Sequence, residues 1–310
     1  MLKHRPATNN LLSACRLALA LLAACWFIMP AAVGQAPKLR FRHISNEQGL
    51  SNSTVEAIYQ DSRGFIWFGT RDGLNKYNGL EMTVYKNDPA DTASLSESYT
   101  RCIYEDRDHI LWIGTINGLN RLDREKNNFT RFKHAPALTG SLSGNLVTCL
   151  AEDREGNLWV GTYGGGINWY NKKLQQFTHL RNNKMNAGSL ADDRVNYIYK
   201  DKSENIWVGT ESGLDLYHPQ TNSFVHYRNA ANSGVSANAI RVVQEDRQGN
   251  LWLGTEDSGL YLFDPLQKTF TAFVHSDKDS ASLGNNMIKS LLVDKKGNLW
   301  AGSINGGLDL

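Results

Sequence analysis

The feature that most constrains the fold of this chain is a phrase that returns at a nearly constant interval. Each copy has an aspartate six residues before a tryptophan, which is followed by an aliphatic or aromatic residue or alanine, a glycine, and Thr or Ser, as in EDREGNLWVGT. The tryptophans recur at spacings of 45, 47, 48, 45 and 48 residues, and they are Trp67, Trp112, Trp159, Trp207, Trp252 and Trp300. A fixed period of this length indicates repetition of one supersecondary unit.

Each copy has the pattern of four short strands. An alternating stretch such as 54–60 or 195–200 gives strand a, and the tryptophan phrase gives strand b. A later glycine opens strand c, and a Phe-x-x-aromatic phrase such as 129–132 gives strand d. One such sheet leaves its faces uncovered, whereas a ring of sheets buries them. The sequence therefore predicts an all-β chain that folds as a β-propeller of four-stranded blades.

The repeated aspartate is expected to cap the turn between strands a and b. Its carboxylate can accept backbone N–H groups of the Asp-x-x-Gly hairpin, whose glycine tolerates a positive φ. His109 and Glu204 replace that glycine in two copies. We therefore expect those two turns to differ in type, and we expect the tryptophans and the strand b glycines to serve packing between blades.

The sequence leaves two alternatives for closing the ring. The last copy reaches 307–310, inside strand c, without a strand d of its own. The segment 39–43 resembles the strand d phrase at 130–134, and it would complete the last blade and close six blades. In the other alternative, the repeats belong to a larger ring within a longer protein.

The N-terminus has the pattern of a secretory signal. Lys3 and Arg5 precede an apolar run at 17–33, and small residues follow, with cleavage expected after Gly34. Alternatives are a lipid attached at Cys25 and an uncleaved anchor, for which the run is short. The predicted organisation is a signal peptide at 1–34, an N-terminal segment with the closing strand at 35–50, and propeller repeats over 51–310, divided as 51–95, 96–142, 143–190, 191–235, 236–283 and 284–310.

Charge and cysteine content narrow the functional classes. The first 34 residues hold three basic and no acidic side chains, so cleavage changes the net charge from +2 to −1. A nucleic-acid partner is therefore not expected, because such proteins keep a basic surplus. Membrane contact is expected only through the signal or a lipid anchor. Cys102 and Cys149 occupy matching places in neighbouring repeats, and we expect buried free thiols rather than a disulfide.

The phrase WIGT-x-x-GL, with Asp-x-x-Gly-Asn-Leu-Trp before it in several copies, resembles the two-component regulator propeller family. The stretches 43–55 and 64–79 resemble the start of that family's periplasmic sensor region. The resemblance covers 39–310 and implies a periplasmic ligand-binding input region, often for oligosaccharides, that acts with downstream sensor domains or a partner protein. We identify no kinase, nucleotide-binding or DNA-binding motif in this sequence.

Repeated polar residues are expected to be structural. The aspartates recur at one turn in each copy, so ring symmetry keeps them apart, whereas glycoside hydrolysis needs two converging carboxylates. Five histidines fall on strand d or its equivalent in different blades, which predicts solvent-facing positions rather than a metal cluster; they are His43, His134, His179, His226 and His275. No catalytic residue, metal site or cofactor is predicted.

Ligand contacts are expected where the repeats differ, because shared positions are explained by folding. The loops between strands b and c vary, and polar side chains with an aromatic ring suit a polyhydroxylated small molecule. The candidates are Arg71, Asp72, Asn117, Tyr163, Glu211, Glu256, Asp257 and Asn305. Trp169 is assigned to packing. The predicted function is an exported, non-catalytic ligand-binding sensor module; the alternatives are a propeller lyase or glycosidase and a protein-binding scaffold.

Overall fold

The computed structural model describes residues 42–227 and 239–310. Ile44–Leu310 forms one compact unit, which contains the strands described below. The predicted signal at 1–34 and residues 39–41 of the predicted closing segment lie outside the described residues. No helix in the described part of the chain is long and apolar enough to span a membrane.

The described residues form six antiparallel sheets, each a meander of strands in chain order, and the predicted propeller fold is confirmed. A short 3-10 helix, Asn46–Gln48, precedes the first sheet. Blade 1 contains β1 (Val55–Gln60), β2 (Ile66–Thr70), β3 (Gly73–Tyr77) and β4 (Met82–Tyr85); blade 2 contains β5 (Thr100–Glu105), β6 (Leu111–Thr115), β7 (Gly118–Asp123) and β8 (Asn128–Phe132); blade 3 contains β9 (Val147–Glu152), β10 (Leu158–Thr162), β11 (Gly166–Asn171) and β12 (Gln176–Leu180). Blade 4 contains β13 (Val195–Lys200), β14 (Ile206–Thr210), β15 (Gly213–His218) and β16 (Ser223–Tyr227); blade 5 contains β17 (Ile240–Glu245), β18 (Leu251–Thr255), β19 (Leu260–Asp264) and β20 (Thr269–Phe273); blade 6 contains β21 (Ile288–Val293), β22 (Leu299–Ser303) and β23 (Gly307–Asp309).

The aspartate of each repeat caps the turn between strands a and b, as predicted. In blade 2, Asp106 Oδ1 accepts the backbone N–H groups of Asp108 at 3.0 Å and Ile110 at 2.9 Å. Its other oxygen accepts the indole N–H of Trp112 at 2.8 Å. This second bond was not anticipated, and it explains the fixed spacing of six residues, because the turn and the buried indole share one carboxylate.

The expectation that two of these turns differ in type is wrong. His109 and Glu204 adopt φ values of 60° and 65°, in the same left-handed region as Gly64 at 87°. The His109 N–H donates to the Asp106 carbonyl at 2.9 Å, as the Gly64 N–H does to the Asp61 carbonyl. The aspartate bonds therefore fix the turn, and the two non-glycine residues accept a strain of about 1–2 kcal/mol.

The glycine of strand b lies at the contact between successive blades, and the space over its α-carbon, which a side chain of the next blade occupies, is called the seat below. A β-carbon added at Gly254 would lie 2.6 Å from Val242 Cγ1 and 2.7 Å from Cγ2 of Ile288 in the next blade. The close approach is thus made chiefly by a β-branched side chain from strand a of the next blade. The residues that take this seat are Thr100, Val147, Val195, Ile240 and Ile288, and each is almost fully buried.

The interface between blades 6 and 1 does not have this packing among the described residues. Val55, the equivalent seat residue of blade 1, is 37% exposed, and Ile58 beside it is 68% exposed. On blade 6, Leu292 and Leu308 are 58% and 65% exposed, and an apolar hollow includes them and Gly302. Blades 1 to 6 thus surround one channel, while the seam between the last and first blades is open. Neither predicted mode of ring closure is tested by the described residues.

Candidate ligand-binding site in the central channel

One irregular residue in strand a of every blade points into the central channel. The pairing of strand a with strand b skips one residue at the same place in each blade, which is the pattern of a β-bulge. A bulge re-aims a side chain and is common beside binding sites. The skipped residues are Glu56, Arg101, Thr148, Asn196, Arg241 and Lys289, and all of them line a cavity of about 950 Å³.

The side of the channel formed by blades 1, 2 and 6 is rich in cations. Glu56 accepts hydrogen bonds from Arg71 Nε at 2.9 Å and from the Tyr99 hydroxyl at 2.8 Å. Burial favours a higher pKa for Glu56, but these bonds and the charges of Arg71 and Arg101 outweigh it and lower the pKa. Glu56 is therefore an anion held by its neighbours, which makes it a poor proton donor at neutral pH.

Two cations of the channel have no partner of this kind. Within the described residues, the side chains of Arg101 and Lys289 make no hydrogen bond and no ion pair. Arg101 is half-buried and Lys289 is exposed. Both are bulge residues that line the cavity, so their N–H groups are available to a molecule inside it.

The third bulge cation, Arg241, is already neutralised. Its Nε lies 2.6 Å from Glu256 and its Nη1 lies 3.1 Å from Glu211. Nη1 also donates to the side-chain oxygen Oδ1 of Asn196 at 2.7 Å, and the side-chain nitrogen Nδ2 of Asn196 donates to Glu211 at 3.2 Å. In this network, two carboxylates balance the positive charge of Arg241, and the Asn196 side chain is fixed between blades 4 and 5.

The channel wall formed by blade 3 is neutral. Thr148 of blade 3 donates its hydroxyl to the Val195 carbonyl at 2.8 Å. Tyr163 lines the same cavity and remains 43% exposed. The channel therefore has two chemically different walls. One presents the aromatic ring of Tyr163 and neutral polar groups, and the other presents cations.

Cys102 and Cys149 lie in the wall of this channel and are free thiols, as expected. Burial raises the pKa of Cys149 to about 12 and raises that of Cys102 further. Both therefore remain protonated at neutral pH and act as small apolar packing groups.

The loop candidates separate by position within each loop. Arg71 and Tyr163, each the first residue after strand b, line the channel. Glu211 and Glu256, at the same position, reach it through Arg241. The remaining candidates are not among the lining residues of the cavity: Asp72, Asn117, Asp257 and Asn305. Asp72 instead pairs with Lys86 at 2.6 Å, and Asp257 accepts the Ser258 hydroxyl.

The sequence analysis missed the bulge residues, although a signal for them exists. Aligned strand a sequences read VEA, TRC, VTC, VNY, IRV and IKS. Their middle position is polar and differs between blades, while its neighbours are mostly apolar. This position differs between the repeats, which is the same reason for which the loop residues were chosen as ligand candidates.

One group of acidic side chains has the spacing of a metal site, but a lysine occupies it. The acidic trio, Asp106, Asp108 and Glu152, has carboxylate oxygens within 4.8 Å of one another. Lys172 Nζ lies 2.8–2.9 Å from all three. Burial favours a lower pKa for Lys172, but the three hydrogen bonds outweigh it and raise the pKa, so the ammonium is retained. The arrangement joins blades 2 and 3 and needs no ion.

The histidines have structural partners rather than a common centre. His134 and His275 follow strand d, and their Nδ1 atoms lie 2.6 Å from the carbonyls of Leu142 and Leu283. His226 is less solvent-facing than predicted, since its Nδ1 lies 2.7 Å from the buried carboxylate of Asp215. His43 and His179 are exposed.

Trp169 has the packing role assigned to it. Its indole N–H donates to Asp153 at 2.9 Å, and its ring packs against the core between blades 3 and 4.

The comparison with protein families resolves the identity of the repeats. The model for the two component regulator propeller matches six segments of the chain: 49–72, 94–117, 141–164, 189–212, 234–257 and 282–305. The chain belongs to the two component regulator propeller family. Each match begins in the loop before strand a and ends in the loop after strand b, so it contains the bulge and the tryptophan phrase.

Similar proteins place these repeats in a sensory context. A histidine kinase P4 of Formosa agariphila is 46% identical over 55 residues, which are 18% of this chain and 4% of that protein. The extracellular domain of a putative hybrid two component system from B. thetaiotaomicron is 29% identical, with a TM-score of 0.54, over 86% of this chain and 41% of that one. This regulator propeller thus spans less than half of either relative, and it is a sensor-like propeller.

A third similarity concerns the fold alone. Virginiamycin B lyase from Staphylococcus aureus is 11% identical, with a TM-score of 0.59, and each chain covers 83% of the other. At that identity, the shared propeller carries no inference about chemistry.

Proposed function

We propose that this regulator propeller is an exported, non-catalytic input module that binds a small molecule in its central channel. The observation that carries the proposal is the convergence of one bulge residue from every blade on one cavity of about 950 Å³. These residues differ between blades although the surrounding strand is repeated. A position that folding does not require to be constant, and that points into a cavity, is the expected place for ligand selectivity.

The chemistry of the walls favours binding over catalysis. General acid–base catalysis needs a titratable group tuned near the working pH. The carboxylates at the channel, Glu56, Glu211 and Glu256, are each paired with an arginine. Hydrogen bonds and the charges of Arg71 and Arg101 lower the pKa of Glu56, and the arginine contacts of all three carboxylates occupy oxygen atoms that a substrate proton would need. This supports a sensor module over the alternative of a lyase or glycosidase.

The Tyr163 ring and the neutral groups around it favour an oligosaccharide among small molecules. A sugar ring can stack on an exposed aromatic side chain and form hydrogen bonds to adjacent polar groups. Binding there would alter contacts with downstream sensor domains or a partner protein, as the extracellular domain of the hybrid system suggests by similarity.

Channel binding is tested with a blocked variant and a matched control. The purified chain would be screened by isothermal titration calorimetry against neutral, uronate and sulfated oligosaccharides. Thr148→Trp places a bulky indole in the channel, whereas Thr271→Trp adds the same side chain at an exposed site on β20. We expect a saccharide that binds the wild type to bind Thr271→Trp equally and to lose binding to Thr148→Trp. Unchanged binding by Thr148→Trp, or no binding by any member of the panel, would refute the proposal.

Export is tested separately by expressing the chain with its own N-terminus in a Gram-negative host. We expect a periplasmic product whose N-terminal sequence begins at Gln35. A product that begins at a lipidated Cys25 would support the lipoprotein alternative, and a full-length cytoplasmic product would refute export.

A further inference from the structure

We propose that the ligand of the channel is anionic, and that Arg101 and Lys289 bind its carboxylate or sulfate group. This inference rests on the proposed function, because it names the ligand class of the same cavity. The inference starts from a difference among four cationic side chains, of which two have acidic partners and two have none among the described residues. Arg71 and Arg241 have acidic partners within 3.1 Å, while Arg101 and Lys289 have none in the described part of the chain.

In the described part of the chain, the channel carboxylates form no ion pair with either group, although the charge of Arg101 contributes to the lowered pKa of Glu56. Glu56 is held by Arg71 and Tyr99, and Glu211 and Glu256 are held by Arg241. Because these acids already have cationic or hydrogen-bonded partners, the channel retains two cations with unfilled hydrogen-bonding capacity. An arginine has five N–H donors in a planar fork that matches a carboxylate or sulfate.

The position of Arg101 strengthens the argument. The residue is half-buried and lines the cavity, and its guanidinium has no hydrogen-bond acceptor in the described part of the chain. A half-buried charge attracts an opposite charge more strongly than a fully exposed one, because the surroundings screen it less. Lys289 projects from the equivalent bulge of blade 6 into the same cavity.

The neutral wall completes the description of the ligand. Thr148 and Tyr163 can meet a hydroxyl group and a sugar face, while Arg101 and Lys289 meet the charge. The two walls together suit an acidic saccharide better than a neutral saccharide or a simple inorganic anion. A neutral sugar would leave the two cations without partners, and a small anion would leave the aromatic wall unused.

The test compares three trisaccharides by calorimetry on the complete chain. The neutral probe is galactotriose, the carboxylate probe is trigalacturonate, and the third is a sulfated galactotriose. Sodium sulfate alone is the fourth probe. We expect an acidic trisaccharide to bind at least tenfold more tightly than the neutral one, and its affinity to fall as NaCl rises. The affinities for trigalacturonate and for the sulfated galactotriose show whether the channel prefers a carboxylate or a sulfate group.

Matched variants assign the charge to its residues. Arg101→Gln and Lys289→Gln should each weaken binding of the acidic trisaccharide about tenfold or more, and should leave its salt dependence reduced. Arg63→Gln and Lys296→Gln remove the same charges from exposed turns at the opposite end of blades 1 and 6 and should have little effect. Thermal melting of all four variants separates lost binding from lost folding.

The outcomes separate this inference from the proposed function. If the neutral trisaccharide binds as well as the acidic ones, or if Arg101→Gln and Lys289→Gln bind like their controls, the anionic assignment is wrong while channel binding stands. If sulfate alone matches the acidic trisaccharides, the site selects a simple anion, and the acidic-saccharide assignment is also wrong. If no probe binds the wild type, both the assignment and the proposed function fail.

Discussion

Replacing the seat glycine in two adjacent blades measures how the propeller is held together. In Gly254→Ala, the added β-carbon would lie 2.6 Å from Val242 Cγ1 and 2.7 Å from Ile288 Cγ2. Carbon atoms pack at about 3.5–4.0 Å, so the neighbouring blade must move by about 1 Å. Overpacking of this kind costs about 2 kcal/mol, which lowers the melting temperature of a chain of this size by roughly 3 °C.

Gly302→Ala is the matched control, because it makes the same change at the equivalent position of blade 6. Its β-carbon would meet the hydroxyl of Ser290, which can rotate away, and its three nearest atoms all belong to Ser290 of the same blade. Neither glycine has a positive φ, so backbone strain does not distinguish the two variants. We expect Gly302→Ala to change the free energy of unfolding by no more than about 0.5 kcal/mol.

Both variants would be measured by urea unfolding followed by tryptophan fluorescence, with thermal melting as a second probe. A large loss in Gly254→Ala with little change in Gly302→Ala would support an open seam between blades 6 and 1. Equal losses would mean that Val55 occupies the Gly302 seat in solution, and the reasoning from exposure would be wrong. No loss in either would mean that the seat glycine is not required for packing.

Two further predictions concern charge. Lys172→Met removes the cation that contacts all three members of the acidic trio, while Arg107 still pairs with Glu152, and it should destabilise the chain by about 3 kcal/mol, as measured by urea unfolding. Millimolar Ca²⁺ should restore part of this loss in the variant and leave the wild type unchanged. A variant as stable as the wild type would refute the role of Lys172. Hydrogen bonding to the Leu283 carbonyl, followed by the contact with Asp277, raises the pKa of His275 above its ordinary value of 6.5. The raised pKa means that its stabilising contribution is complete below pH 6.5 and is lost as the pH rises through the folded-state pKa. The difference in urea midpoint between the wild type and His275→Gln should therefore shrink as the pH rises from about 6 to 8, and a constant difference would contradict the assignment.

The fold could be predicted from the sequence because one physical requirement recurs along the chain, in blades 1 to 4 and in blade 6. Trp112 needs burial and a hydrogen-bond acceptor, and Asp106 supplies that acceptor while it caps the turn. The distance along the chain between the two is therefore fixed, and a fixed distance is visible in a sequence. The turns at His109 and Glu204 were predicted wrongly because a missing glycine was given more weight than the aspartate that fixes the backbone.

The sequence could not show which polar residues share the channel wall. Arg71 and Glu56 lie on different strands, and their pairing depends on the register of β1 against β2. Arg241 of blade 5 forms an ion pair with Glu211 of blade 4, so the balancing of its charge depends on the position of blade 4 relative to blade 5. The loop positions that point away, such as Asp72, could not be separated from Arg71 without the path of the loop.

The bulge explains how a repeat that is constrained by packing can still carry selectivity. At each end of the skipped residue, the flanking side chains pack within or between blades; in blade 5, Ile240 and Val242 flank Arg241 in this way. An ordinary strand would send every second side chain toward the core, and a polar residue among them would cost stability. The extra residue leaves this alternation, so its side chain faces the channel without disturbing the seat beside it. Glu56, Arg101 and Lys289 can therefore differ freely while their neighbours keep the propeller together.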